Sequence, residues 1–244
     1  MSSFDGRVAV VTGGTRGIGF ATAAALAGAG ATVVITGRDA GVAASRAAEL
    51  GGRVSGVALD VTDSAAVRDV FKAVAKEHGR IDVLVASAGV LEGGLIGMLT
   101  DDHIGTTLAT NVAGTITCVQ AAARAMMRKR SGSIVLLGSV VGERGNAGQT
   151  VYAASKAALS ATAKSAAKEL GRYGIRVNAV APGVIRTDLV AEQSADVLAK
   201  VEADTALGRL GTAEEVAAVI RFLAGDDASF VTGQVLGIDG GLVL

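Results

Sequence analysis

Val8–Gly19 reads VAVVTGGTRGIG, and its order of residue types decides the fold. Val8 to Val11 is a short apolar run with β-branched side chains, the composition of a buried strand. Thr12 then opens a loop with glycine at positions 13, 14, 17 and 19, and an alanine-rich stretch runs on to Ala29. Strand, glycine loop and helix follow in that order. Glycines let the backbone turn tightly and let a pyrophosphate approach the main chain. The helix N-terminus then offers free N–H groups and a positive dipole end. The spacing is G-x-x-x-G-x-G at Gly13, Gly17 and Gly19, which is not the G-x-G-x-x-G form. Glycine makes up 34 of the 244 residues, so a glycine-rich turn alone carries little. The strand before the loop and the helix after it make phosphate binding the better reading.

Outward from this stretch, strands alternate with helices. Strands are expected at Thr32 to Thr36, Val54 to Leu59, Val83 to Ala86, Ile134 to Leu137, Arg176 to Val180 and Val235 to Ile238. Between them, helical patterns cover Ala40 to Leu50, Asp63 to Glu77, a long segment from Asp101 to Arg130, Thr150 to Tyr173, and Ala213 to Leu223. This alternation predicts an α/β fold: a doubly wound, seven-stranded parallel sheet with helices on both faces and right-handed crossovers. No Pro/Ser linker interrupts the chain, and Pro182, the only proline, falls just beyond the sixth strand. Residues 1–244 are therefore expected to form a single domain. Ligands in such sheets bind at the carboxyl ends of the strands. Gly13, Asp60, Ala88, Ser139 and Pro182 all fall at such ends.

Composition narrows the function. Half of the residues are apolar, enough for a large core. Lys plus Arg and Asp plus Glu both number 23, which argues against a nucleic-acid-binding field. Cys118 stands alone, so no intramolecular disulfide forms, and its expected place is as a small buried hydrophobe. His78 and His103 have no ligand spacing and are expected on the surface, and no metal site is expected. No stretch reaches 18 apolar residues, so no membrane helix is expected. With no signal-like segment before the first strand, the expected location is cytoplasmic.

The chemistry sits further along, in SVVGERGNAGQTVYAASK, Ser139 to Lys156. Tyr152 and Lys156 are four apart, which stacks them on one helix face. An ammonium beside a phenol favours the phenolate and is expected to draw the tyrosine pKa toward neutrality. Such a phenol can hand a proton to a developing alkoxide. Ser139, just after an apolar run, could hydrogen-bond the same oxygen. A Y-x-x-x-K pair alone is most often a surface pair. Here only two tyrosines exist, and Tyr173 has Val177 at its fourth place.

The T-G-x-x-x-G-I-G loop together with the S…Y-x-x-x-K set resembles the short-chain dehydrogenase/reductase family over essentially the whole chain. Met126–Arg130, Gly138–Gly142, Ala179–Gly183, Gly208–Gly211 and Asp239–Gly241 are similar to its branch that reduces 3-oxoacyl groups on acyl carrier protein. The resemblance implies a Rossmann-type fold and a catalytic set of Asn111, Ser139, Tyr152 and Lys156. It implies cofactor binding by Gly13, Thr15, Arg16, Gly17, Ile18 and Gly19 of the loop, by Asp60 and Val61 at the adenine, and by Ala88 and Gly89 at a ribose. Tyr152 and Lys156 also face the cofactor, and Pro182, Gly183, Ile185 and Thr187 match the stretch that holds the nicotinamide. One departure stands out: the usual N-N-A-G is Ala86-Ser87-Ala88-Gly89 here.

The cofactor can be argued from the residues. A ribose 2′-phosphate wants cations at the tip of the second strand, where Arg38 stands, with Arg16 facing the same corner. NADP(H) is therefore expected, with Asp39 read as a helix N-cap rather than a ribose ligand.

The leading expectation is NADPH-dependent reduction of a β-ketoacyl thioester, on acyl carrier protein or CoA, in fatty-acid or polyketide-type biosynthesis. The alternative is an NADP-dependent dehydrogenase of a small alcohol, sugar or other secondary alcohol. A catalytically silent nucleotide sensor is disfavoured, because all four catalytic positions are filled. Segments Val90 to Leu99 and Asp188 to Leu207 are expected to wall the substrate. Arg128, Lys129, Arg130 and Arg172 could land an acidic carrier, although basic residues at a helix end also suit its dipole. The resemblance implies a homotetramer, paired through the long and catalytic helices and through the C-terminal strand.

Overall fold

Residues 3–187 and 194–243 are described by the computed structural model. Strand β1 (Val8–Thr12) is buried along its whole length. It pairs in parallel with β2 (Thr32–Gly37) on one side and β4 (Val83–Ala86) on the other. With β3 (Val54–Ala58), β5 (Gly132–Leu137), β6 (Ile175–Pro182) and the C-terminal strand Val235–Ile238, the sheet has seven strands. Their order is β3-β2-β1-β4-β5-β6 and then that last strand. Near-continuous apolar strands are what a parallel sheet covered on both faces requires.

Alternation along each strand divides the core in two. Val8, Val10, Leu84, Ile134 and Leu136 face one cluster with Phe71 of α3 (Ser64–His78), Cys118 and Met126 of α5 (Thr115–Lys129), and Leu159 of α7 (Thr150–Leu170). Ala9, Val11, Val83, Val85 and Val135 face the other, with Leu26 of α1 (Gly17–Gly28), Ala47 of α2 (Ala40–Leu50) and Ile220 of the last helix, Ala213–Ala224. Cys118 is fully buried, as expected of a small hydrophobe, and burial pushes its thiol up to about 12.

Several boundaries differ from the sequence reading. The long segment is helical from 101 to 129, as expected, but a widened π-type turn, Ala109–Gly114, separates α4 (Asp101–Leu108) from α5. Such turns re-aim a side chain, here Asn111. Pro182 lies in β6, opposite Ile238, rather than beyond it. It is the last residue of the strand. Ser139 caps a short helix, α6 (Val140–Arg144), that periodicity could not reveal in five residues. Ile185–Arg186 and Gly211–Thr212 form a small two-stranded sheet. Of the expected wall Asp188 to Leu207, residues 188–193 lie outside the described residues, as does Leu244; Ala195–Ala203 is helical. His78 and His103 are partly buried rather than exposed. Among the described residues no helix is long and apolar enough to cross a membrane.

Asp82 ties the entry side of the sheet. Its carboxylate accepts the Val8 N–H at 2.8 Å and both arms of Arg80 at 2.6–2.9 Å. Its own backbone bonds Val8 and Ser133. Asp82→Ala should leave the buried Val8 N–H unpaired and lower stability by about 1–3 kcal/mol. Urea denaturation measures this, and an unchanged midpoint would refute the role.

Candidate active site

The glycine loop is built by close approach. Gly13 has φ +65, and a Cβ there would lie 2.7 Å from the Ala88 Cα. A Cβ on Gly19 would strike the Gly13 carbonyl oxygen. Only bare backbone fits, so β1, the loop and the segment after β4 stack without side chains between them. α1 then starts with no side-chain cap at Arg16 and no acidic residue in its first turn. Its first N–H groups are left for an anion, so the residues fit a pyrophosphate.

Thr15 packs beneath Gly37, where a Cβ would lie 2.7 Å from its methyl. Ile18 is half-buried and packs against the core. Thr187 lies over Gly17, its methyl 3.4 Å from where a Cβ would stand. The two ends of the expected cofactor site therefore meet.

Arg38, directly after β2, and Arg16, in the loop whose Thr15 packs on Gly37, are both exposed. Asp39 is the N-cap of α2, its carboxylate accepting from Val42 N at 2.8 Å. That occupation removes the competing acidic signal. Asp60 accepts from the Thr62 N–H and hydroxyl at 2.9 and 2.7 Å, which holds its carboxyl below the usual range, with a smaller contribution from Arg38.

Two expected contacts differ in kind. The Val61 side chain is buried against Gly114, and that of Ile185 is buried in the core near Gly211. Only their main chains could face a cofactor. Gly183 N–H donates to Ile238 at 3.0 Å, continuing the β6 edge.

Four side chains from three separate segments converge at the carboxyl end of the sheet. Ser139 Oγ accepts from Val141 N–H at 3.2 Å and stands near the Tyr152 hydroxyl, whose ionised form it favours. Lys156 Nζ lies 5.6 Å from the Tyr152 ring centre and donates to the Leu137 carbonyl at 2.7 Å. Asn111 is fully buried. Its Oδ1 accepts from Val90 N at 2.8 Å, and its Nδ2 donates to Val90 O at 2.9 Å and Ser155 Oγ at 3.0 Å. A Cβ on Gly89 would sit 3.2 Å from Asn111 Oδ1 and 3.5 Å from Lys156 Nζ, so these three meet.

The electrostatics correct the sequence expectation for Tyr152. Its pKa is raised, because burial outweighs the opposing Ser139 hydrogen bond. Lys156 does not draw the phenol down, since its ammonium is turned to Leu137 and burial lowers its own pKa to about 8. At neutral pH the phenol keeps its proton, the state that a proton donor needs.

Three contacts escaped the sequence reading. Ser155 links Asn111 to the Tyr152 carbonyl, at 2.7 Å from the latter. Arg46, stacked 3.8 Å over Phe20, holds the Thr15 carbonyl at 3.1 Å. Glu143 accepts from Ser160. Ser155 reaches Tyr152 within its own helix, but its bond to Asn111 and the other two contacts have no local signal, because folding alone joins those partners. A separate cavity of about 200 Å³, lined in part by Thr205, Arg209, Glu215 and Asp239, contains none of the four converging residues, and its Arg209 and Glu215 pair with each other.

A family model described as enoyl-(acyl carrier protein) reductase matches residues 13–243. The 3-oxoacyl-(acyl-carrier-protein) reductase of Salmonella typhimurium is 42% identical over 242 residues, 99% of this chain and 99% of the relative. That of Escherichia coli K12 is 41% identical over the same shares. A solved structure of a short-chain type dehydrogenase/reductase from Mycobacterium ulcerans has a TM-score of 0.95 and 38% identity, covering 98% of this chain and 90% of that one.

Lys156 should titrate near pH 8, well below an ordinary lysine near 10.5. Carbon-13 shifts of labelled lysine side chains against pH measure this, with Lys156→Met assigning the signal. A titration at the ordinary value would refute the burial argument.

Proposed function

Because the chain belongs to the short-chain dehydrogenase/reductase family, we propose that it is an NADPH-dependent reductase of β-ketoacyl thioesters carried by acyl carrier protein. It is an oxidoreductase of the nicotinamide-dependent kind. The observation that carries the reading is likeness to 3-oxoacyl reductases across 99% of both chains. The matching family model is described by an enoyl reduction instead. Two hydroxyls meeting at one point, Ser139 and Tyr152, suit a ketone oxygen better than a carbon–carbon double bond.

When bound, the nicotinamide supplies a hydride to the ketone carbon, and the oxygen then needs a proton. Ser139, whose Oγ accepts the Val141 N–H, keeps its own proton to donate to that oxygen. Tyr152 delivers the proton that completes the alcohol. Lys156 has one N–H on Leu137 and two left for the cofactor ribose and for a proton relay that resupplies Tyr152. Asn111 supports the relay by holding Val90 and Ser155 in place. Gly13 to Gly19 hold the pyrophosphate, Arg16 and Arg38 the 2′-phosphate, and Asp60 the adenine. Main chain at Val61, Ala88, Gly89, Pro182, Gly183 and Ile185, with Thr187, lines the remainder of the cofactor.

The carrier's landing surface in this proposal is Arg128, Lys129, Arg130 and Arg172. Arg130 donates to the Arg172 carbonyl at 2.8 Å, and both guanidiniums lie over Tyr173, at 5.9 and 4.9 Å. Two distant basic segments thus form one cationic surface, as an acidic partner needs. A homotetramer in the cytoplasm completes the proposal. The apolar groove between α5 and α7, with Val119, Ala123 and Met127, and the fully exposed Phe230 are surfaces that assembly would cover.

NADPH oxidation with an acetoacetyl group on acyl carrier protein or CoA should greatly exceed oxidation with a crotonyl thioester. It should also exceed oxidation of simple secondary alcohols with NADP⁺. Turnover of alcohols alone would instead favour a small-alcohol dehydrogenase. Tyr152→Phe should lower ketone reduction by about 10²–10⁴-fold while NADPH binding persists. Near-normal turnover would remove Tyr152 from the mechanism. Arg38→Asp should weaken NADPH by roughly 10-fold or more, the loss of one charged hydrogen bond, and leave NADH nearly unaffected. Equal effects on both cofactors would show that Arg38 does not read the 2′-phosphate.

A further inference from the structure

We propose that α6 is a clamp that positions Ser139, and that Glu143, through its bond to Ser160, sets the clamp's register. The inference rests on the ketone-reduction reading, because Ser139 matters there as an oxygen ligand.

Ser139 is the residue from which α6 starts, so its place beside Tyr152 depends on how α6 seats on α7. Three successive residues seat it. Gly142 lies against the catalytic helix so closely that a Cβ would stand 2.7 Å from Ala157 N and 2.8 Å from Lys156 C. The neighbours are main chain and cannot give way. Glu143 Oε1 accepts from Ser160 Oγ at 2.5 Å. Arg144 donates to the Leu242 carbonyl and, at 3.2 Å, to Asp239 Oδ2, which fastens the far end of α6 to the C-terminal segment.

These contacts do different things. Gly142 against the α7 backbone sets the distance between the helices, while the register of α6 along α7 is left to the side chains on either side of it, Arg144 at the far end and Glu143 on α7 itself. Glu143 supplies the stop. Tyr152, Lys156 and Ser160 are spaced by four, on one face of α7. Ser160 is buried, its hydroxyl fixed in position, and a charge-assisted bond to a carboxylate is among the stronger ones. The bond therefore fixes α6 against the same stripe that carries the proton donor. A displacement of about 1 Å in a positioned group can cost on the order of 10²-fold in rate.

The experiment measures reduction of acetoacetyl-CoA and of a simple β-ketoester by the purified full-length protein. Glu143→Ala should lower kcat by roughly 10-fold or more while KM for NADPH holds. Glu143→Gln, whose Oε1 still accepts from Ser160, should keep most of the rate. Ser160→Ala should match Glu143→Ala, and the double variant should lose no more than either single one. The decisive arm is the Ser139→Ala background, where Glu143→Ala should have no further effect on the residual rate. Wild-type kcat in Glu143→Ala, a parallel change in KM for NADPH, or an undiminished loss in the Ser139→Ala background would each overturn the clamp. Wild-type protein that reduces the ketoester but no thioester would overturn the substrate reading and leave the clamp under the same tests. Reduction of neither would overturn both.

Discussion

The buried ammonium of Lys156, donating to the Leu137 carbonyl at 2.7 Å, is the bond around which the site is organised. It joins the catalytic helix to the last residue of β5, two positions before Ser139. Burying a charge there is costly, which is why the lysine's pKa falls to about 8. The site accepts that cost in exchange for a fixed geometry. Tyr152 is held one turn away on the same helix, Ser139 at the end of the same strand, and Asn111 and Gly89 close the circle. One ion–dipole contact thus connects the sheet, the helix and the proton donor.

Close approach without side chains recurs wherever two parts of this site meet. Gly13 against Ala88 closes the phosphate loop, Gly114 against Val61 seats the widened turn, and Gly142 against Lys156 seats α6. The high glycine content of the chain is explained in part by these joints. Elsewhere the two faces of the sheet are covered by buried aliphatic and alanine side chains from the strands and the helices.

How much was legible in the sequence follows from the range of each interaction. β4, α2 and the strand Val235–Ile238 begin and end where the apolar pattern and turn residues put them, because those signals are local. Asp39 was readable as a cap for the same reason: its partner, Val42, is three residues away. The π-type turn was not readable, since it depends on Asn111 finding Val90 and Ser155 across the fold. The phenol's pKa was misread because spacing shows that a lysine is near. Only the structure shows that its proton points to a carbonyl and that burial dominates. Arg46 on Thr15 and Glu143 on Ser160 were invisible for the reason that made Asn111's partners invisible.

Cys118 gives the molecule an internal timer. It is the only thiol, it is fully buried in α5 against the sheet, and burial holds it protonated up to about 12. The thiolate is the form that reacts with alkylating agents and oxidants. The folded protein should therefore be indifferent to the redox poise around it. A thiol reagent can mark Cys118 only in molecules whose α5 has left the sheet, so the labelling rate counts opening events rather than surface chemistry.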